Sequence, residues 1–126
     1  MIQKLSKKIL IVEDESPLLS SLKDRFESEG FNVLTASDGV MGLEIAKKEK
    51  PDLVLIDILL PKLNGISMAK EINKLKLETR MMFLTNLSDP KHISEALTTD
   101  VTDYLVKSDW NINDLVARVK QKLELE

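Results

Sequence analysis

The most constraining feature of this chain is an alternation. Short apolar blocks recur along it, each followed by a longer stretch with helical spacing. The blocks span residues 9–12, 31–35, 53–56, 81–84 and 104–106, and four of the five are apolar throughout. Strands half-exposed to water alternate polar and apolar side chains, whereas strands covered on both faces do not. Continuous apolarity therefore predicts a parallel sheet with a layer of helices on each side.

The intervening stretches carry helix signals. Ser16-Pro17 offers an N-cap followed by a proline at the first helical position, then Leu18, Leu22 and Phe26 recur on one face until Gly30. A second helix is expected from about Asp38-Gly39 to Lys48, and a third from about Ile66 to Leu75. Asp89-Pro90 repeats the start signal before Ile93, Ala96 and Leu97, and the last helix places Ile112, Leu115, Val116, Val119 and Leu123 on one face. Five βα units in 126 residues leave no room for a second domain. The expectation is α/β architecture in one domain over 1–126, with a core from about 8 to 124 and no effector domain in the sequence. Right-handed crossovers then put helices on both sheet faces.

Composition removes several alternatives. With no cysteine and one histidine, the chain has no disulfide framework, catalytic thiol, zinc–thiolate site or multi-histidine metal centre. Eighteen Lys+Arg against twenty-one Asp+Glu give a net charge of −3, which is not a whole-chain footprint for nucleic acid. The longest apolar runs fall far short of the roughly 20 residues a membrane span needs, and the polar N-terminus does not read as a secretory signal. A cytoplasmic protein with no direct nucleic-acid contact and no membrane contact is expected.

In such sheets, ligands sit beyond the carboxyl ends of the strands. Glu13-Asp14-Glu15 follow the first block, Asp57 the third, Thr85-Asn86 the fourth, and Lys107-Ser108 the fifth. Converging carboxylates repel one another, so the set makes sense with a hard cation such as Mg²⁺, which takes few carboxylates, a carbonyl and several waters. A carboxylate at a strand end beside a metal and a lysine suggests a nucleophile aimed at a phosphoryl group.

Four spaced motifs carry a resemblance over essentially the whole chain. They are Ile9-Leu-Ile-Val-Glu-Asp-Glu15, Asp57-Ile-Leu-Leu-Pro61-Lys-Leu-Asn-Gly65, Phe83-Leu-Thr85 and Asp103-Tyr104-Leu-Val-Lys107. In this order and at these strand ends, the chain resembles a response-regulator receiver domain of two-component signalling, chemotaxis-receiver-like in kind. The resemblance implies a flavodoxin-like (βα)5 fold with strand order 2-1-3-4-5. It implies that Asp57 accepts a phosphoryl group from the phosphohistidine of a sensor histidine kinase or phosphotransfer protein. Glu13, Asp14, Asp57 and the Leu59 carbonyl would hold Mg²⁺ or Mn²⁺, with Glu13 acting through water. Lys107 would pair with the phosphoryl oxygens, Thr85 would hydrogen-bond them, and Tyr104 would reorient. The surface of the fourth helix, fifth strand and fifth helix would then change. Such a domain catalyses its own phosphorylation and dephosphorylation and is not otherwise an enzyme.

Three further expectations follow from departures and particulars. Ser108 stands where the family usually has proline, so the Lys107–Ser108 bond should be trans. Apolar Leu59 and Leu87 flank the acceptor, so the phosphoryl group should be lost slowly. Asp103 and Arg118 match residue types that pair across a homodimer in the DNA-binding subfamily, but the favoured reading of the two is an exposed pair worth at most about 1 kcal/mol. The rival readings are a silent receiver-like interaction module, an aspartate-nucleophile phosphatase, which would want a second Asp where Leu59 stands, and a flavin carrier. For the last, Glu13-Asp14-Glu15 would repel the phosphate.

Overall fold

The structure is a computed structural model, and it describes residues 7–85, 90–96, 98–99, 101, 103–107 and 111–123. Its elements alternate without exception: β1 Lys8–Val12, α1 Ser16–Ser28, β2 Asn32–Ala36, α2 Gly39–Glu49, β3 Leu53–Ile56, α3 Gly65–Leu75, β4 Arg80–Thr85, α4 Pro90–Ala96, β5 Asp103–Val106 and α5 Ile112–Lys122. All four strand pairings are parallel, in the order β2-β1-β3-β4-β5 expected from the resemblance.

The continuous apolarity of the central strands follows from their two-residue period. Leu10, Val12, Val54, Ile56, Met81 and Phe83 point to one face, where Ala46 of α2, Met68, Ala69 and Ile72 of α3 and Ala96 of α4 cover them. Their neighbours Ile9, Ile11, Leu53, Leu55, Met82 and Leu84 point to the other, against Leu22 and Phe26 of α1 and Leu115, Val116 and Val119 of α5. Each central strand thus feeds two separate cores, and a polar residue on either face would be buried without a partner.

Local signals place most helix ends. Asp38 caps α2 by accepting a hydrogen bond from the Met41 amide, and Asn64 caps α3 through the Ser67 amide. Ser16 is not the cap of α1. The Glu15 carbonyl accepts the Leu19 amide, so Glu15 holds the cap position and Ser16 and Pro17 lie in the first turn. Pro17 suits that place because the first helical amides have no intrahelical partner. At the other end, Gly30 takes φ 96° and ends α1 as expected. Phe31 does not begin β2. Its amide returns to the Phe26 carbonyl, and its ring packs edge-on to Phe26 at 5.7 Å. Helices α2 and α3 stop without glycine, at Lys50 and Lys76 with φ 48° and 51°.

Register decides the edge. Val12 lies opposite Ile56, Ile56 opposite Phe83, and Thr85 opposite Val106. The residues that follow β1, β3 and β5 therefore emerge together at the carboxyl end of the sheet.

Candidate functional site

Asp57 leaves β3 with its backbone still in the ladder, its amide donating to the Val12 carbonyl at 3.0 Å. Its side chain is nearly buried, with Oδ1 accepting the Leu59 amide at 3.3 Å and Oδ2 accepting Lys107 Nζ at 3.2 Å. Glu13 is fixed in the same way, by its amide on the Ala36 carbonyl at 3.0 Å. Its Oε1 accepts Lys107 Nζ at 2.6 Å and its Oε2 the Glu15 amide at 3.0 Å. One ammonium thus bridges two buried carboxylates, which come from positions 94 and 50 residues away.

The loop from Asp57 to Gly65 folds back tightly over the strand end. The Gly65 amide donates to the Ile58 carbonyl at 2.8 Å, and a Cβ on Gly65 would lie 2.2 Å from the Asp57 carbonyl oxygen. Only glycine permits that approach. The start of α2 is locked to the same loop. Gly39 donates to the Pro61 carbonyl at 3.2 Å, a Cβ there would lie 1.8 Å from the Leu63 carbonyl oxygen, and Lys62 Nζ stands 3.6 Å from Asp38 Oδ2.

Electrostatics follow from burial. Loss of water pushes the Glu13 carboxyl above its usual range, more than the bond from Lys107 pulls it down, and the negative charge of Asp57 adds to the rise. For Lys107 burial acts downward, but the Glu13 hydrogen bond and the nearby Asp57 charge outweigh it, so its pKa lies above the ordinary lysine value. The ammonium therefore stays charged at neutral pH.

Asp14 is the exposed member of the acidic set, and one oxygen from each of Glu13, Asp14 and Asp57 lies within 4.8 Å of the others. Two direct ligands of one Mg²⁺ at about 2.1 Å cannot be more than roughly 4.2 Å apart. Oxygens this close are compatible with one hard cation, bound directly or partly through water, with Asp14 on the exposed side of the cluster. The cluster can hold a divalent metal.

Leu59 is 57% exposed beside this site. Thr85 ends β4 at the same edge, opposite Val106; its side chain, like Asn86, Leu87 and Ser108, lies outside the described residues, and so does the Lys107–Ser108 bond. Tyr104 stands within β5, half-buried, with its ring edge-on to Phe83 at 6.3 Å. Asp103 begins β5 at the end away from Lys107, and pairs within the chain with Lys122 at 2.7 Å and Arg118 at 3.6 Å. Sequence reasoning missed three contacts: Glu15 with Lys107 at 3.3 Å, Lys62 with Asp38, and the reciprocal capping of α5 by Asn111 and Asp114. Only the last left a local trace, an Asn followed three residues later by an acid before an apolar face.

A doubly wound sheet whose carboxyl edge gathers acids around one buried lysine is the framework of an aspartate-based phosphoacceptor. The chain belongs to the response-regulator receiver family: the profile described as Response regulator receiver domain matches residues 9–120. Domains of this family are the phosphoaccepting signalling domains of two-component systems, phosphorylated on aspartate, and they interact with histidine kinases or phosphotransfer proteins.

Among its relatives is the alkaline phosphatase synthesis transcriptional regulatory protein PhoP of Bacillus subtilis (strain 168), 37% identical over 116 residues, which cover 92% of this chain and 48% of that protein. The probable transcriptional regulator ycf27 of Porphyridium aerugineum is 34% identical over 116 residues, again 92% of this chain and 48% of the relative. The chain spans about half the length of the curated relatives it matches. Among solved structures, the CheY-like response regulator receiver domain protein from Methanospirillum hungatei JF-1 superposes with a TM-score of 0.90 at 30% identity, covering 95% of each chain. Among the described residues, no helix is long and apolar enough to cross a membrane.

Proposed function

We propose that the chain is a single receiver domain in which Asp57 takes a phosphoryl group from a kinase or phosphotransfer-protein histidine. The carrying observation is the Lys107 ammonium, bonded to both Glu13 and Asp57 beside exposed Asp14. An Asp57 carboxylate oxygen forms the O–P bond as the N–P bond of the phosphohistidine breaks. The electron pair stays on the imidazole nitrogen, which takes a proton from solvent as needed. Lys107 lies where charge accumulates on the transferring oxygens, and catalysis is chiefly positioning and charge neutralisation. A Mg²⁺ or Mn²⁺ ion held by Asp14, Asp57, the Leu59 carbonyl and, through water, Glu13 would supply the remaining positive charge.

In this reading Thr85 hydrogen-bonds the new phosphoryl group, Tyr104 reorients on β5, and the α4–β5–α5 surface changes by population shift. A homodimer through that surface, using Asp103 and Arg118, must exchange the pairs Asp103 already makes within the chain. Leu59 offers water no hydrogen bond, which supports a long-lived phosphoryl group. A cytoplasmic domain that itself contacts neither nucleic acid nor membrane completes the proposal.

Incubation with Mg²⁺ and acetyl phosphate, read by intact mass, tests it. One phosphoryl adduct is expected in wild type and none in Asp57→Asn. No adduct in wild type overturns the function, and an adduct that persists in Asp57→Asn puts the acceptor elsewhere.

A further inference from the structure

Lys107 Nζ contacts three carboxylate oxygens: Glu13 Oε1 at 2.6 Å, Asp57 Oδ2 at 3.2 Å and Glu15 Oε1 at 3.3 Å. A lysine ammonium has three donors, so these partners saturate it. A phosphoryl oxygen that joins Lys107 must displace one of them. Glu13 holds the shortest bond, and its side chain is only 2% exposed, so releasing it would strand a buried charge. Asp57 is the group to be modified. Glu15 has the longest contact and a side chain 55% exposed, so its carboxylate can return to water at the small cost of one exposed ion pair.

The local structure of Glu15 gives a second, independent observation. Glu15 occupies the N-cap position of α1, yet its side chain makes no capping hydrogen bond. Capping side chains ordinarily accept from the next amides of the helix; this one reaches across the carboxyl edge to Lys107, 92 residues further along the chain. Glu15 also stands outside the Glu13, Asp14 and Asp57 trio that can hold a cation. It therefore competes for the ammonium without serving the metal.

We infer that Glu15 is a positioning residue that draws Lys107 outward from Asp57 and so lowers the affinity of the site for the phosphoryl group. The inference rests on Asp57 being the acceptor. Its signature is a split between anion and cation. Removing the Glu15 charge frees a lysine donor for an anion, while it takes negative charge away from the neighbourhood of the cation.

The test is calorimetric titration of beryllofluoride, an anionic phosphoryl mimic, into the Mg²⁺-saturated protein, with a separate Mg²⁺ titration. Glu15→Gln should bind beryllofluoride about two- to fivefold more tightly than wild type, the size expected of one exposed ion pair. Its Mg²⁺ affinity should be unchanged or weaker. The difference should vanish in 1 M KCl, where the screening length is about 3 Å. Unchanged or weaker beryllofluoride binding, a parallel gain in Mg²⁺ affinity, or a gain that survives high salt would each overturn the inference. A wild-type protein that neither binds beryllofluoride nor takes a phosphoryl group refutes the Asp57 reading instead, and this inference with it.

Discussion

Replacing Lys107 by methionine keeps an unbranched side chain, one atom shorter, and removes its charge. In wild type the ammonium lies 2.6 Å from Glu13 and 3.2 Å from Asp57, with all three side chains at most 9% exposed. Losing one partner of a buried ion pair costs about 3–5 kcal/mol, because the other charge is left buried and uncompensated. Here exposed Asp14 and half-exposed Glu15 let water reach the edge of the site, so the low end, about 3 kcal/mol, is expected. For a chain of this size that corresponds to a fall in melting temperature of roughly 9–15 °C.

Two controls follow from the same geometry. Burial already raises the Glu13 pKa, and losing the Lys107 hydrogen bond raises it further. A raised carboxyl stabilises the fold below its unfolded value, about 4.3, and that contribution is lost as pH rises through the folded value. The deficit of Lys107→Met should therefore shrink as pH is lowered from 7 toward 5. In wild type the raised Lys107 pKa stabilises below the ordinary lysine value, about 10.4, and that contribution is lost as pH rises through the folded value. Mg²⁺ at a hundredfold excess over the wild-type Kd stabilises wild type by about 2.7 kcal/mol, and at that same concentration Lys107→Met should gain more, because the ion also relieves the repulsion left by the lost ammonium. The assay is thermal and urea unfolding in chelator and then in Mg²⁺. A variant within about 1 kcal/mol of wild type in chelator, or one that gains no more from Mg²⁺ than wild type does, would refute the reasoning.

Three other outcomes can be checked by unfolding. Gly39→Ala should lose about 2–3 kcal/mol despite the better helix propensity of alanine, since the new Cβ meets backbone at 1.8 Å; Gly42→Ala, which meets only side-chain ends at 3.0 Å, should lose less. Asn111→Ala removes the cap of α5 and should cost about 1 kcal/mol, with urea midpoints as the measure. The Lys120 and then the Arg25 hydrogen bonds hold the Glu29 carboxyl below its usual range. That stabilisation is present above the unfolded value, about 4.3, and is lost as pH falls through the folded value. The stability gap between wild type and Glu29→Gln should therefore close between pH 5 and pH 3, and a gap constant over that range would contradict the pairing.

Much of this protein was determined along the chain itself. The apolar runs at residues 9–12 and 53–56 imply burial on both faces, because successive strand side chains point opposite ways. The caps at Asp38 and Asn64 act on amides three residues away, so they depend on local sequence alone. The position of Asp57 after an apolar strand belongs to the same class of information, and so does its motif. Other features are silent in any local window. Ser16 reads as a cap, yet Glu15 takes that place, with its side chain turned to Lys107 rather than to the helix. Strand β1 lies beside β3, and Val12 is level with Ile56; that register brings Glu13 and Asp57 to one ammonium. Neighbouring residues set propensity and burial pattern. Only the packing of two helix layers on one sheet decides which groups, tens of residues apart, share a buried space and so which charges must neutralise one another.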